Sequence, residues 1–133
     1  MAKIQFEFEK GGVITATLDE KNAPKTCAAI LAALPVEYEM LHAMWAGEEL
    51  FFGGYPGKFC YENPTIKTPD GCLAMVPESN SFCIFYGRSI PRKAVDATID
   101  VTVFGMVDDI PAMAAIGKRV RRGGIEKVKI TKA

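Results

Sequence analysis

Strict alternation of apolar and polar side chains predicts strands near both ends of the chain. In residues 3–9 every second side chain is apolar, which is the period of a half-buried strand. Gly11-Gly12 follows, and because glycine accepts the positive φ of a tight hairpin, residues 13–18 are expected to return as the partner strand. Residues 127–131 alternate in the same way and predict the last strand of the chain.

A longer period predicts two helices. From Pro24, apolar residues recur at the i, i+3, i+4, i+7 spacing of a helix face, and Pro35 is expected to stop this first helix. A second helix is predicted to begin at an aspartate cap, Asp108 or Asp109, and to end at Gly117.

Five further strands are predicted from short β-branched and aromatic segments: Tyr38–Trp45, Glu48–Phe52, Cys72–Val76, Phe82–Tyr86 and Ala97–Val107. In the last of them Ile99, Val101 and Val103 are expected to face inward. The residues therefore indicate a mainly β fold, a closed eight-stranded barrel capped by two helices, because closure hides the strand edges. A split sheet with both helices on one face is the alternative.

Composition indicates a single domain over residues 1–133, with 49% hydrophobic and 24% charged residues, as in ordinary globular chains. No apolar run is long enough to cross a bilayer and no export signal is visible, so we expect a cytoplasmic protein without a membrane partner. The four cysteines form no C-x-x-C pair and His42 is the only histidine, so neither a metal nor another cofactor is expected.

The charges balance, with 16 basic and 16 acidic residues, but they are unevenly placed. From Lys118 onward seven Lys or Arg residues stand against the single Glu126. This basic segment is either a solvated surface or a contact for the acidic face of a second subunit, so a homo-oligomer is plausible. Because no stacking aromatics are interleaved with the basic residues, nucleic acid is not an expected partner.

Several stretches resemble the cyclophilins, the barrel-shaped peptidyl-prolyl isomerases, and occur in the same order as in that family: Gly12–Leu18, Ala23–Thr26, Gly71–Met75, Ser81–Phe85 and Val103–Val107. The stretch Trp45-Ala-Gly-Glu-Glu is similar to small uncharacterised prokaryotic proteins of cyclophilin-like fold. This resemblance implies the barrel fold, but it implies no activity.

The resemblance also implies where an isomerase would carry its chemistry. In cyclophilins an arginine directly after a histidine of the third strand binds the prolyl amide, whereas here Ala43 follows His42. Asn80-Ser81-Phe82-Cys83 stands where that family supplies the aromatic floor of its proline pocket, with Cys83 in the place of one aromatic, and Val76-Pro77 stand where small polar groups shape the neighbouring pocket. Loss of a charged hydrogen bond worth about 1.5 to 3 kcal/mol would slow catalysis by about tenfold to more than a hundredfold, so at most a weak isomerase is expected.

Candidate catalytic residues are His42, Glu48 and Glu49, because a carboxylate beside the only imidazole of the chain could orient it as a base. The two glutamates adjoin in a strand and therefore point to opposite faces, so only one of them can enter a cleft. A histidine held by structural hydrogen bonds is the alternative interpretation.

Candidate ligand-binding residues are aromatic, apolar or cationic: Trp45, Met75, Phe82, Tyr86, Arg88 and Arg92. The two arginines, with Lys93, follow an aromatic strand, and a guanidinium holds a carboxylate through two parallel hydrogen bonds. The leading hypothesis is a cleft that binds, or binds and transforms, a small polar metabolite, a carboxylate or an amide. A residual isomerase and a non-catalytic interaction module or accessory subunit are the alternatives, so enzyme activity stays open.

Overall fold

Strands make up most of the regular secondary structure in this computed structural model, which describes all residues from Met1 to Ala133. In chain order the elements are β1 Lys3–Phe8, β2 Val13–Leu18, α1 Pro24–Ala33, β3 Val36–His42, a 3₁₀ turn Met44–Ala46, β4 Gly47–Phe52, β5 Cys72–Val76, β6 Ser81–Ser89, β7 Arg92–Ala94, β8 Ala97–Thr98, β9 Thr102–Val107, α2 Ile110–Gly123 and β10 Glu126–Lys132.

Eight of the strands close into a barrel in the order β1-β10-β3-β4-β6-β5-β9-β2, and every neighbouring pair is antiparallel. The predicted closed eight-stranded barrel with two helices is thus confirmed. The remaining strands, β7 and β8, form a separate two-stranded hairpin outside the barrel. Closure leaves no barrel strand with an unpaired edge, which removes the usual site of strand-to-strand aggregation.

The barrel interior is apolar, and both helices contribute to it. Phe82 stacks on Phe52 with ring centroids 5.1 Å apart. From α1, Cys27 and Ile30 enter this core at the end of the barrel where β3 begins, and α2 contributes Met113, Ile116 and Val120 at the end where β3 finishes. Neither helix has the length and apolar character that a membrane span requires.

Helix α2 runs further than the sequence pattern indicates, so the predicted end at Gly117 is wrong. The helix passes through this glycine because its bare Cα lets the Tyr86 ring lie directly against the backbone, where any Cβ would overlap the ring. The chain turns out of the helix at Gly124, with φ of 88°. Part of the basic segment is therefore helical, and its Arg119 donates from Nε to the fully buried Glu126 at 3.0 Å.

Two predicted strands also needed correction. β3 ends at His42, and the 3₁₀ turn then carries Met44 and Trp45 out of the strand to exposed positions. The predicted strand over residues 97–107 is two strands, β8 and β9, with an irregular link between them.

The inward positions of that segment were predicted in the wrong phase. Ile99, Val101 and Val103 pack in a second apolar cluster on the outer face of β5 and β6, while Phe104 faces the barrel interior. Alternation could not show this, because both faces of β9 are covered and both are apolar.

The long connection over residues 53–71 contains no helix and no barrel strand, although Thr65 forms a β-bridge with Val101. Its Glu62 accepts hydrogen bonds from the backbone N–H groups of Lys25 and Thr26 at 3.1 and 2.7 Å. These are unpaired donors of the first turn of α1, so the loop supplies the cap that the helix itself lacks.

Candidate functional site

A cavity of about 170 Å³ lies on the outer face of β4, β5 and β6, separate from the barrel interior. Three barrel strands supply one side of its lining: Glu49 and Phe51 from β4, Val76 from β5, and Ser81 and Cys83 from β6. Three other segments cover it: Ser79 from the turn between β5 and β6, Ala43 and Trp45 from the region of the 3₁₀ turn, and Arg92, Lys93 and Ile99 from the β7–β8 hairpin and its end.

Trp45 fixes one wall of this cavity. Its indole Nε1 donates to the backbone carbonyl of Arg92 at 2.9 Å, and its ring meets Phe51 edge to face with centroids 5.7 Å apart. A backbone hydrogen bond from Ile90 to the carbonyl of Ala46, also 2.9 Å, joins the same two segments. The hairpin is therefore attached to the 3₁₀ turn, and the cavity lies between them and the sheet.

Glu49 is the chemically unusual residue of the cavity. Its residue surface is only 6% exposed, neither salt bridge of the structure involves it, and no N–H or O–H group donates to its carboxylate. Burial raises the pKa of this carboxyl from 4.5 to about 7, and a hydrogen bond from the Cys83 thiol opposes only part of that rise. Near neutral pH the group therefore exists in both protonation states and is able to accept or donate a proton.

A second polar cluster lies on the other side of β4, beneath α2. His42 Nε2 is 2.8 Å from the Tyr86 hydroxyl oxygen, and the other ring nitrogen, Nδ1, is buried without a partner. Burial and then Arg121 lower the pKa of His42, with Glu48 opposing them. Burial and then Glu48 raise the pKa of Tyr86, with Arg121 opposing them. Both shifts favour the neutral forms, so this cluster is a neutral hydrogen-bonded pair.

Glu48 itself accepts a hydrogen bond from the backbone N–H of Arg88 at 3.1 Å. Its carboxylate fits because position 87 is glycine, where a Cβ would overlap it. No carboxylate bonds the imidazole of His42, whose partner is the Tyr86 hydroxyl instead. The structure also brings no three His, Cys, Asp or Glu side chains into an arrangement that could hold a metal ion.

Residues 7–132 match the DUF3830 family, whose members are described as proteins of unknown function. The chain belongs to the DUF3830 family. No curated protein matches the sequence.

Solved structures share the fold of this DUF3830 chain. One is McbB in complex with tryptophan, with a TM-score of 0.81 and 19% sequence identity over 96% of this chain. The chain spans 44% of the length of that McbB chain. Another is the solution structure of the hypothetical protein AF2241 from Archaeoglobus fulgidus, with a TM-score of 0.69 and 22% identity, covering 99% of this chain and 95% of that one. At such identities the likeness concerns the fold.

The residues predicted from the sequence fall into separate places in this DUF3830 structure. Trp45, Glu49 and Arg92 line the outer cavity, whereas His42, Glu48 and Tyr86 form the cluster beneath α2. Met75 and Phe82 are fully buried in the barrel core, and Arg88 lies in a shallow neighbouring depression with Met44 and Ile90. Glu48 and Glu49 do point to opposite sides of β4, and the roles assigned to all these residues stay predictions.

Only Trp45, Glu49 and Arg92 of the eleven lining residues were candidate site residues from the sequence, and Phe51, Ser79 and Ile99 were not considered for any site. Phe51 had a signal, because residues two apart on a strand share a face and Glu49 was already a candidate. Ser79 and Ile99 had none, since each reaches the cavity through a turn or link whose path the sequence does not specify.

Proposed function

We propose that the outer cavity binds a small polar metabolite that carries a carboxylate or an amide. The observation that supports this most is Glu49, a buried carboxyl that opens into a cavity and has no cation within the protein to pair with. Buried ionisable groups are normally paired, and an unpaired one beside free volume is a candidate ligand contact. Arg92 and Lys93 in the same lining would attract an anionic ligand group.

The size of the cavity supports a small ligand. A volume of about 170 Å³ is close to the ~150 Å³ of an apolar cavity that accommodates benzene. McbB, a fold neighbour, is described in complex with tryptophan, itself a small carboxylate with an aromatic body. That likeness is an analogy at the level of the fold, and the proposal depends on the cavity residues of this chain.

Any transformation of the ligand would use Glu49 for proton transfer in this proposal. His42 lies on the inner side of β4 with its Nε2 engaged by Tyr86, so it does not reach the outer cavity. Glu49 combines the burial and the raised pKa that general acid–base groups require.

The proposal is tested with a panel of small carboxylates and amides, followed by the fluorescence of Trp45, the only tryptophan, and by the melting temperature. A ligand at a hundred times its Kd stabilises the folded chain by about 2.7 kcal/mol. Arg92→Gln is expected to weaken binding of the carboxylates. The matched control is Lys118→Gln, because Lys118 is exposed on α2 away from the cavity, and this variant should bind as the parent does. If no compound changes either signal at about millimolar concentration, the proposal is withdrawn.

A weak peptidyl-prolyl isomerase is the second candidate, and one observation favours it. Ala43, Val76, Ser81 and Cys83, which stand at positions compared above with the cyclophilin site, line this same cavity, whereas Phe82 of the same comparison is buried in the barrel core. Ala43→Arg would place a guanidinium there and should raise turnover of a proline-containing peptide by about tenfold or more. Absence of turnover in both forms would exclude this candidate. The cyclophilin resemblance, the cytoplasmic location and a homo-oligomer stay predictions.

A further inference from the structure

The carboxylate of Glu49 lacks the partner that a buried charge requires. Burial among Phe51, Cys83 and the other lining groups leaves the carboxylate only the cavity as its contact with solvent, and the thiol is a weak hydrogen-bond donor. A ligand that supplied only another carboxylate would add like charge beside it. An ammonium group would supply the opposite charge and up to three N–H donors at once, which is the pairing that makes a buried carboxylate stable.

The aromatic part of the lining suits the same group. Trp45 and Phe51 meet edge to face, with ring planes inclined by 71°, so the two rings line the cavity at different inclinations. A cation near an aromatic face is attracted by the negative face of the ring, and more strongly when water is excluded. Val76 and Ile99 complete an apolar lining that favours an organic body over an inorganic cation.

The two cations of the lining set a second requirement. On the β7–β8 hairpin Lys93 is exposed and Arg92 is half-buried, so both cations stand nearer the solvent than Glu49, which is buried in the sheet. They would repel a simple amine at the entrance and attract a carboxylate. The ligand that meets both demands carries its positive charge inward and its negative charge outward.

We propose that the cavity takes a small α-amino acid, with its ammonium group on the Glu49 carboxylate and its carboxylate toward Arg92 and Lys93. This inference rests on the proposed function, because it names the ligand class of the same cavity. The volume favours a compact side chain such as that of leucine or phenylalanine.

The test uses two matched series of probes and calorimetric titration of the full chain. Leucine is compared with 4-methylpentanoate, which lacks the amine, and with 3-methylbutylamine, which lacks the carboxylate. Phenylalanine, 3-phenylpropanoate and 2-phenylethylamine form the second series. We expect the amino acid of at least one series to bind about tenfold or more tightly than both of its truncated analogues, since each truncation removes one charged contact.

The pH dependence is a second and independent measurement. Because only ionised Glu49 pairs with an ammonium, the affinity for the amino acid should rise about tenfold between about pH 6 and pH 8. Glu49→Gln keeps the shape of the side chain and should abolish both the preference for the amino acid and this rise. Glu37→Gln, exposed on β3, should change neither.

The outcomes separate this inference from the proposed function. If the des-amino carboxylates bind as tightly as the amino acids, and more tightly at low pH, the amino acid assignment is overturned while binding of carboxylates stands. If no probe binds, the inference falls as well, and the wider panel then decides the proposed function. The pH profile of the unmodified chain distinguishes these outcomes even if Glu49→Gln does not fold.

Discussion

Replacing Glu49 by glutamine should stabilise the chain in a pH-dependent way. The carboxyl is buried against the outer sheet without a cation or a backbone donor, so its ionised form loses its hydration and gains little in return. Glutamine has nearly the same shape and remains neutral at every pH. The substitution therefore removes the charge and leaves the packing of Phe51 and Cys83 around it almost unchanged.

The size of this stabilisation follows from the pKa of Glu49 in the unfolded chain, 4.5, and in the folded chain, about 7. An acid whose pKa is raised on folding is bound to its proton more tightly in the folded chain, so stability falls as the pH rises. Below pH 4.5 Glu49 is protonated in both states, and no loss occurs. Between pH 4.5 and about 7 the loss grows, and above that range it reaches about 3 kcal/mol. The glutamine variant should gain this amount relative to the parent.

Urea unfolding of both proteins from about pH 4.5 to pH 8.5 measures the difference directly. The free energy of unfolding of Glu49→Gln should exceed that of the parent by an amount that increases with pH and levels off above neutrality. Glu37→Gln, exposed on β3, serves as the control, and its difference from the parent should stay flat. A flat difference for Glu49→Gln as well would refute the description of Glu49 as a desolvated acid.

Three other substitutions test the surrounding structure. Gly117→Ala should lower the free energy of unfolding by about 1 to 3 kcal/mol despite the better helix propensity of alanine, because its Cβ overlaps the Tyr86 ring; an increase measured in urea would contradict this packing. Hydrogen bonds lower the pKa of Asp108 from 3.8 to about 2, so the stability that ionised Asp108 contributes is lost as the pH falls through that range. Asp108→Asn should therefore flatten the fall in the free energy of unfolding at acid pH. An unchanged fall would contradict this role of Asp108. Trp45→Phe removes the hydrogen bond to the carbonyl of Arg92, so amide hydrogen exchange in the β7–β8 hairpin should accelerate. Equal exchange rates in the variant and the parent would show that this bond does not hold the hairpin.

Much of the barrel was predictable because several of its strands have one buried and one exposed face. Residues 3–9 alternate strictly and residues 14–18 alternate likewise, and the observed strands Lys3–Phe8 and Val13–Leu18 follow the pattern almost residue for residue. The first helix was equally well marked, since Pro24 begins it and it ends at Ala33, just before Pro35. In each case one local signal, the hydrophobic period or the geometry of proline, was enough to define the element, and no other signal in the same residues pointed to a different structure.

Other features depended on contacts between distant segments, which no local pattern contains. Gly117 stands inside α2 because the Tyr86 ring needs its space, and the same residue type would have ended the helix elsewhere. Val101 and Val103 have the apolar character of barrel-facing residues, but the covering loop and the hairpin bury the outer face of the sheet as well. Apolar character reports burial, but it does not report on which side of the strand the burial occurs.

The candidate site shows the same limit in a form that matters for function. Strand geometry predicted that Glu48 and Glu49 point to opposite faces, but the sequence did not show which of them faces a cleft. In the structure β4 sends Glu48 toward the His42 cluster and Glu49 into the outer cavity. The cavity exists because the 3₁₀ turn and the β7–β8 hairpin stand over the barrel and are joined by Trp45. These short segments close the space over the barrel strands, and they therefore help to determine how large a ligand Glu49 meets. Changes in the hairpin should alter ligand choice while leaving the barrel intact.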